Sequence, residues 1–367
     1  MSLVAVGACY LDTILSTPYY PGEDEKLRAS SITHRRGGNC PNSLEVLKQL
    51  IPISNLPLSL SLITVLPSES SAATQQIRST LEPNVCFDHC IYREGFQEPA
   101  SSYIIASRST GSRTIVNYNE LPDMTIGELT GIIDGMVSKA TWFHFEGRIP
   151  DVILGCIQHL RKEYPLVRIS VEIEKPGRKG LQELAEAADV TFYSKTWAQV
   201  GRYLNEELEN IEIYRFSQLK PQLKIDNHAA QWIHFSRGLS TKTVNEDKEC
   251  VCLCSSTAWM CLRRELILGN TRSLLFCTWG QDGAAAFEPS TGQFVHAEAY
   301  TTTNFRVVDP IGAGDTFNAG MLYALSCRDQ EWDLRTKVRF ANRIAGMKVS
   351  QEGFSGLDRA LNCYPSN

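Results

Sequence analysis

Residues 307–320 read VVDPIGAGDTFNAG, and this stretch carries the main prediction of both fold and chemistry. Glycines at 312 and 314 let backbone N–H groups converge, and a helix that begins there adds the positive end of its dipole, so the turn favours an anion. Asp315 stands in the same place, where a carboxylate would compete with phosphate. The two features agree if Asp315 takes a proton from a hydroxyl while the N–H groups stabilise a phosphoryl group in transfer.

The same stretch also has a purely structural explanation, in which Asp315 caps a helix and the glycines turn the chain. Two other phosphate-binding motifs are excluded by their own requirements. No Lys-Ser/Thr pair follows the glycines, as a Walker A loop needs, and Phe317 stands where a dinucleotide fingerprint needs its third glycine. The choice between a cap and a catalytic turn depends on the rest of the chain.

The composition limits the class of protein. The chain has 367 residues, 43% of them hydrophobic, which is enough for one large α/β domain or two ordinary ones. A net charge of −5 argues against nucleic acid or an anionic membrane as a partner. Residues 1–15 are typical of a first strand and not of a signal peptide, and no apolar run is long enough to span a membrane. We therefore expect a cytoplasmic protein with free, buried thiols at Cys9, Cys156 and Cys277.

Strand-like and helical segments alternate over most of the chain. This alternation predicts an α/β protein with a parallel sheet covered by helices on both faces. Asn39 is expected to cap the first helix, with Pro41 in its first turn. The predicted strands are 3–9, 142–146, 168–174, 190–193 and 273–279, and the predicted helices are 41–50, 179–188, 313–327 and 331–350.

Two regions interrupt this alternation. Residues 100–119 contain two β-rich runs around Thr110-Gly111-Ser112, which predicts a hairpin. With extended stretches at 13–20 and 27–35, the hairpin would form a small separate sheet beside the main one. Residues 203–272 are polar, irregular and longer than a usual connection. We therefore predict one domain over residues 1–367 with a small β lid and an irregular insertion.

A second polar cluster lies in RRGGNCPNSLEVL, residues 35–47. Gly38 precedes a helix, and Asn39 and Asn42 fall within one turn of each other. Their amides offer donors and acceptors without charge, which suits sugar hydroxyls, and Asp12 and Asp24 add carboxylates that can accept from vicinal hydroxyls. Each of these residues alone is as well explained by a cap, a turn or a solvated helix face.

Together these segments resemble the ribokinase-like (PfkB-type) sugar kinases, through the strand that ends near Asp12, the Gly-Gly-Asn at 37–39 and the late DPIGAGDTFNAG stretch. The resemblance covers roughly 1–200 and 273–357, and it implies a mostly parallel sheet flanked by helices plus a small β lid. In ketohexokinases, the fructose-phosphorylating branch, the lid also forms the dimer contact. The stretches that resemble this branch are GSRTIVNYNELPD (111–123), HFEGR (144–148), ISVEIEKP (169–176) and FYSK (192–195).

The resemblance implies a role for each matching residue. Asp315 matches the catalytic base, and Gly312, Ala313 and Gly314 match the anion hole. Sugar-binding positions are matched by Asp12, Gly38, Asn39 and Asn42, with Asp24 as a contributor from the lid region. Nucleotide-binding positions are matched by Arg113, Gly280, Gln281, Asp282, Gly283, Asn342 and Ala345. The implied cofactor is ATP with Mg²⁺, and the implied assembly is a homodimer through the lid.

The chain departs from the wider family in its cation-binding residues. Ser194-Lys195-Thr196-Trp197 stands where many ribokinase relatives carry Asn-x-x-Glu near the metal. Mg²⁺ would then be held largely by ATP and water, with Glu172 or Glu174 contributing through water. Pro310-Ile311 replaces an expected Thr-Leu and removes a hydroxyl, which leaves a requirement for K⁺ open.

The segment 203–272 is the largest departure. Its ECVCLC run (249–254) and Cys261 would allow a zinc site, but the Cys spacing lacks the usual pairs and no His is close. The alternatives are an apolar strand, an irregular surface insertion or translated non-coding sequence. Trp232 and His234 would then belong to the packing of the insertion itself.

Three functions are compatible with these residues. The first is an ATP-dependent kinase of a ketose hydroxyl, with fructose at C1 as the first candidate. The second keeps the chemistry and changes the acceptor to ribose, a nucleoside or another sugar, a choice that residues 103–118 of the lid would determine. The third is an inactive sugar or nucleotide sensor, which would have no need of Asp315.

Overall fold

The computed structural model describes residues 1–53, 57–136, 140–200, 258, 261–262, 265, 270, 272–303 and 305–363. In chain order the described strands are β1 (Ser2–Val6), β2 (Tyr10–Thr17), β3 (Ser31–Gly37), β4 (Ser59–Ile63), β5 (Val65–Pro67), β6 (Val85–Cys86), β7 (Ile91–Arg93), β8 (Ser101–Ser107), β9 (Arg113–Tyr118), β10 (Trp142–Glu146), β11 (Arg168–Ile173), β12 (Val190–Tyr193), β13 (Leu274–Thr278), β14 (Ala284–Glu288) and β15 (Gln293–Ala297). The described helices are α1 (Asn39–Leu50), α2 (Ala72–Leu81), α3 (Ile126–Met136), α4 (Pro150–Glu163), α5 (Leu181–Ala187), α6 (Lys195–Val200), α7 (Ala313–Cys327) and α8 (Leu334–Val349). Short 3₁₀ segments cover Ile51–Ile53, Gly280–Asp282 and Leu357–Cys363.

The main sheet is mostly parallel. Within the described ranges it has nine strands in the order β15-β14-β13-β12-β11-β10-β1-β4-β6, and only β14 and β15 run antiparallel to their neighbours. Strand β1 pairs in parallel with both β10 and β4, so the carboxyl ends of these strands meet at one edge. In open parallel sheets this edge is where ligands bind.

Helices cover both faces of this sheet, because side chains along each buried strand alternate between two apolar cores. Leu3 and Ala5 of β1 pack into a core with α1, α2, α7 and α8. Val4 and Val6 pack into a second core with α3, α4 and α5. The predicted α/β fold with helices on both faces is therefore confirmed.

The lid is a separate sheet in the order β3-β2-β8-β9, with β2 and β8 parallel and the outer pairs antiparallel. Its register assigns side chains to two faces. One cross-strand row consists of Asp12, Arg35, Ser102 and Asn117. The next row, which points to the other face, contains Tyr103 and Val116. We call the face that includes Asp12 the polar face, although it also carries Ile104 and Ile115, and the other the apolar face, although it also carries Thr13 and His34.

The lid sheet was predicted, but the predicted bounds of its first two strands differ from the observed bounds by a few residues. The stretches expected at 13–20 and 27–35 occur as β2 at 10–17 and β3 at 31–37. Both strands carry polar residues on both faces over much of their length, so period-two alternation does not mark their ends. The hairpin at 100–119 is confirmed as β8 and β9, which meet around the positive-φ Gly111.

Predicted bounds in the main sheet are close to those observed. The strands 142–146 and 190–193 and the helix 313–327 are confirmed at both ends. Asn39 does not cap α1, because the cap is Gly38 and Asn39 is the first helical residue. The prediction did not include β4–β7, β14, β15, α2, α3, α4 and α6, whose apolar runs are short or interrupted.

Cys9, Cys156 and Cys277 are free and buried, as predicted. Within 203–272, Ala258, Cys261, Leu262, Glu265 and Asn270 are buried and Arg272 is exposed, and the first three belong to the core beside α3–α5. The ECVCLC run, Trp232 and His234 lie outside the described residues. In the described part of the chain, the helices are too short or too polar to cross a membrane.

Candidate active site

Asp315 lies in the first turn of α7 and is 8% exposed. Its Oδ2 accepts a hydrogen bond from Asn42 Nδ2 at 2.7 Å, and its backbone oxygen accepts one from Ser43 Oγ at 2.9 Å. Burial raises the pKa of the Asp315 carboxyl to about 7, and the negative charges of Glu174 and Glu146 add to the rise. A carboxylate whose pKa lies near neutral pH is suited to accept a proton.

The turn before Asp315 is built from glycines with different surroundings. Gly312 is the N-cap of α7 with φ 80°, so Asp315 is not the cap that a structural explanation of the motif would require. A Cβ on Gly312 would lie 2.5 Å from Phe354 Cζ, whereas a Cβ on Gly314 would meet nothing within 4 Å. Together with Ala313, these residues leave an open helix N-terminus beside a buried carboxylate, a place that suits an anion.

Arg36 fixes the orientation of Asn42. Its Nη1 donates to Asn42 Oδ1 at 3.0 Å, and its Nε donates to Thr80 Oγ1 at 3.2 Å. A further ion pair joins Arg36 to Glu45. Because the amide oxygen of Asn42 is occupied by Arg36, its nitrogen is the atom that faces Asp315.

Glu146 ends β10 beside the start of α1. Its Oε2 accepts the Ala8 N–H at 2.8 Å, and a Cβ on Gly7 would lie 2.9 Å from that oxygen and 2.8 Å from Cys40 Sγ. Desolvation raises the pKa of Glu146 to about 7, and Glu174 contributes to the rise. Gly7 is therefore required by close packing around the carboxylate.

Glu172 and Glu174 extend this group of carboxylates from the end of β11. Glu172 is 7% exposed, and burial raises its pKa well above the usual range, with the charge of Asp315 adding to the effect. Glu174 Oε2 accepts a hydrogen bond from Asn39 Nδ2 at 3.2 Å. In the described part of the chain, no three His, Cys, Asp or Glu side chains are close enough to hold a metal ion by themselves.

Asp12 lies on the polar face of the lid and is 7% exposed. A Cβ on Gly37 would lie 2.4 Å from Asp12 Oδ2, so the opposite strand approaches the carboxylate closely. Burial raises the pKa of Asp12, and Ser102, Arg35 and the nearby Arg36 oppose the rise. Arg35 Nε lies 4.0 Å from Asp12 Oδ2.

The start of α1 brings two predicted sugar-binding residues to the same place. Gly38 has φ 105°, and a Cβ there would lie 2.2 Å from the Ala8 carbonyl oxygen. This approach requires glycine and places Asn39 and Asn42 next to Glu174 and Asp315. The structure therefore joins Gly38, Asn39, Asn42 and Asp315 in one site.

Two of the predicted nucleotide-side residues, Gly283 and Asn342, meet at the end of β15. A Cβ on Gly283 would lie 2.0 Å from the Ala297 carbonyl oxygen, and Asn342 Nδ2 donates to that oxygen at 2.7 Å. Gly280 has φ 62° and no atom lies within 4 Å of the place where a Cβ would stand, while Gln281 and Asp282 complete the 3₁₀ turn. Ala345 packs one turn further along α8 against the core.

Two predicted residues do not join the site through any contact in the described part of the chain. Asp24 is exposed between β2 and β3 with φ 61°. Arg113 is exposed at the start of β9, on the same lid face as Asp12 but two rows further along the strands. Their predicted roles stay predictions.

Sequence reasoning missed several residues around the site. Arg36 precedes the Gly-Gly turn, Glu146 lies within HFEGR, and Asp309 ends the apolar run before the turn at 312–314, which we call the anion turn. The motifs thus contained all three residues, but no role was predicted for them. Lys348 is fully buried, and its Nζ lies 2.8 Å from Asp309 Oδ2. A single Lys in a helix gives no sequence signal for such a pairing.

His144 is fully buried in β10. Its Nδ1 lies 2.8 Å from Ser170 Oγ, which also accepts a hydrogen bond from Trp142 Nε1 at 2.9 Å. Desolvation lowers the pKa of His144 to about 4. The ring is therefore neutral at physiological pH.

Comparison with known proteins agrees with this arrangement. The sequence model of the pfkB family carbohydrate kinases matches residues 265–358. Ketohexokinase of Mus musculus is 28% identical over 362 residues, which cover 97% of this chain and 98% of that protein. The Arabidopsis thaliana ribokinase structure with ribose and ATP superposes with a TM-score of 0.65 at 17% identity, covering 100% of this chain and 99% of that one. The ribokinase of Cryptococcus neoformans var. grubii serotype A with ADP gives 0.63 at 14% identity over 98% of both chains. The chain thus has the ribokinase fold, matches the pfkB family carbohydrate kinases over residues 265–358 and is similar to ketohexokinase over almost its whole length.

Proposed function

We propose that the protein transfers the γ-phosphoryl group of ATP to a primary hydroxyl of a ketose, with D-fructose as the acceptor and fructose 1-phosphate as the product. The observation that carries this proposal is the buried Asp315 at the open start of α7, with Asn42 Nδ2 at 2.7 Å and a pKa raised to about 7. The likeness to ketohexokinase supports the choice of a ketose.

In this reaction Asp315 Oδ takes the proton of the acceptor hydroxyl, and the hydroxyl oxygen bonds to the γ-phosphorus. The bond from phosphorus to the β–γ bridging oxygen breaks, and ADP leaves with that electron pair. The N–H groups from Gly312 to Gly314 stabilise the negative charge on the phosphoryl oxygens. Asn42 keeps the carboxylate turned towards the acceptor, because its own amide is held by Arg36.

The acceptor would bind between α1 and the polar face of the lid. Asp12, Asn39 and Asn42 offer a carboxylate and two amides for sugar hydroxyls, and Gly38 brings the backbone close to them. Asp24 would join from the loop between β2 and β3 when the lid covers the sugar.

The nucleotide would lie along the turn 280–283, whose Gly280 leaves open space next to the backbone. Asn342 Nδ2 donates a hydrogen bond to the Ala297 carbonyl oxygen at the end of β15, next to this turn. Ala345 follows on the same helix. Arg113 would reach the phosphates from the lid. These residues fit a nucleotide that lies across the carboxyl edge of the sheet.

The cation sites differ in how well they fit. Glu172 and Glu174 are oxygen donors beside Asp315, so they fit Mg²⁺ that is shared with phosphate and water, and the ion would neutralise charge on the transferring group. At the turn 309–311, where K⁺ is implied, the oxygens of Asp309 are already bonded to Ile311 N–H, Arg35 and Lys348. This carboxylate does not fit as a K⁺ ligand, and no step of the proposal uses K⁺.

The test is an acceptor panel. Purified protein with ATP and Mg²⁺ is offered fructose, other ketoses, ribose and adenosine, ATP consumption is followed, and the phosphorylated position is assigned by ³¹P–¹H NMR. We expect fructose 1-phosphate. Turnover with ribose or adenosine alone would refute the ketose and retain the mechanism, and nucleotide binding without any turnover would favour a sensor.

The second copy of a homodimer would bind to the apolar lid face. Ile32 and Val116 on this face are 57% and 62% exposed, and Tyr103 and Tyr118 are 52% and 41% exposed. Side chains of this type in one patch are typical of an interface. We expect Val116→Glu to convert a dimer to a monomer in light scattering, whereas a monomeric wild type would refute this contact.

A further inference from the structure

Arg35 contacts both halves of the candidate site. It lies on β3 directly opposite Asp12 of β2, and its Nε is 4.0 Å from Asp12 Oδ2. Its Nη1 donates to Asp309 Oδ2 at 3.1 Å. One guanidinium therefore lies between the sugar-side carboxylate of the lid and the segment that leads to the anion turn.

Asp309 holds that turn in place. Its Oδ1 accepts the Ile311 N–H at 3.0 Å, immediately before Gly312. Lys348 Nζ donates to Asp309 Oδ2 at 2.8 Å and to its backbone oxygen at 2.9 Å. Because Lys348 is fully buried, its bonds fix Asp309 to α8. The hydrogen bond from Arg35 to Asp309 then connects the lid to this fixed residue.

The third nitrogen of Arg35 is unsatisfied. Nη2 is buried and has no hydrogen-bond partner in the part of the chain that the structure describes. A buried donor without a partner is unfavourable, and because the guanidinium is planar, Nη2 cannot turn away by itself while Nη1 keeps its bond to Asp309. An oxygen of a bound ligand that reaches Nη2 would satisfy it.

We propose that Arg35 is an acceptor-binding and positioning residue: its Nη2 donates to an oxygen of the bound sugar, and its bond to Asp309 aligns that sugar with the anion turn. This inference rests on the proposed function for the identity of the ligand. It predicts that Arg35 acts on the acceptor and on the rate of transfer, and not on nucleotide binding.

The test uses Arg35→Gln and Arg35→Lys, with Arg108→Gln as the matched loss of charge at an exposed position after β8. For Arg35→Gln we expect the acceptor KM to rise roughly 10- to 100-fold, the effect of losing a hydrogen bond from a charged donor, with kcat also lowered. The KM for ATP should change less than about twofold. Arg35→Lys keeps the positive charge but lacks the planar guanidinium. Its unfolding temperature should therefore equal that of the wild type even if Arg35→Gln unfolds at a lower temperature, and its acceptor KM should stay raised.

Two further measurements identify the partners. Deoxy analogues of fructose should show one hydroxyl whose removal erases the Arg35→Gln penalty, because wild type and variant then lack the same bond. In an Asp309→Asn background, Arg35→Gln should lower kcat less than it does in the wild type.

The outcomes separate the inference from the proposed function. Equal kinetics for Arg35→Gln and Arg108→Gln, or full kinetic rescue by Arg35→Lys, would overturn the role of Arg35 while the kinase function stands. If the wild type phosphorylates another acceptor, the same series of variants with that acceptor tests Arg35, and only the proposal of a ketose acceptor is refuted. If the wild type turns over none, calorimetric titration with fructose decides: binding weakened in Arg35→Gln but not in Arg108→Gln would retain the acceptor contact.

Discussion

The starts of α1 and α7 are built alike and contribute different chemistry. Each follows a glycine with positive φ, Gly38 at 105° and Gly312 at 80°, and each leaves no room for a Cβ at that glycine. The start of α1 contributes neutral amides, whereas the start of α7 contributes a carboxylate beside open N–H groups. The two turns therefore share their backbone geometry, and the side chains that follow give them different chemistry.

The hydrogen bond between Asn42 and Asp315 joins the two turns. It connects the Asp315 carboxylate of one helix to the amide of the other, and Arg36 connects that amide to the strand before α1. Changes at either helix start should therefore alter turnover, but for different physical reasons.

The largest expected effect comes from the α7 turn. Gly312→Ala forces a positive-φ alanine against Phe354, so we expect loss of both unfolding temperature and turnover. In Gly314→Ala the new Cβ would meet no atom within 4 Å, and the residue lies inside the helix. This variant should therefore preserve the unfolding temperature. If the space beside Gly314 holds phosphate, its turnover should still fall by roughly 10²-fold, as when an oxyanion-hole contact is lost. Full activity of Gly314→Ala would contradict that assignment.

A smaller effect is expected at α1. Asn42→Ala removes the donor to Asp315, and we expect kcat at pH 7 to fall roughly 10- to 100-fold. Since the Asn42 bond opposes the rise of the Asp315 pKa, the variant should also need a higher pH for half-maximal activity. Asn42→Ser, which keeps a short donor, is the matched control. A pH profile unchanged in Asn42→Ala would show that the amide does not act on the base.

The wild-type pH profile gives a more modest test. The base must be unprotonated, and burial raises the pKa of Asp315 to about 7, so kcat/KM should rise with pH and level off above roughly pH 8. The neighbouring Glu146 has its pKa raised to about 7 as well, so the midpoint belongs to the group and not to one residue. An activity already maximal at pH 5.5 would be incompatible with this assignment.

The smallest effect lies away from the site, in the core of β10. The pKa of His144 is lowered to about 4 by burial, so the unfolded chain takes up the proton first and stability is lost as pH falls from 6.5 towards 4. The loss relative to His144→Gln should reach about 3 kcal/mol at pH 4. Comparing the two proteins by chemical unfolding is necessary because Asp315 and Glu146, with raised pKa values, shift stability in the opposite direction. Parallel pH dependences would refute the buried neutral ring.

The local geometry at the start of α7 could be predicted from the sequence because its residues are contiguous. A glycine turn, a carboxylate and a helix start all lie within 312–315, so local rules suffice. Arg36, Asp309 and Lys348 were missed because their roles depend on contacts between segments far apart in the chain. Asp24 and Arg113 rest on resemblance, and both are exposed on the lid.

The most direct test of the central claim is Asp315→Asn, measured for turnover and binding together. The amide keeps the size of the side chain and lacks the base, so we expect turnover to fall by roughly 10²- to 10⁴-fold while sugar and ATP still bind. Turnover within about tenfold of the wild type, in a variant with an unchanged unfolding temperature, would contradict the role of Asp315 as the base.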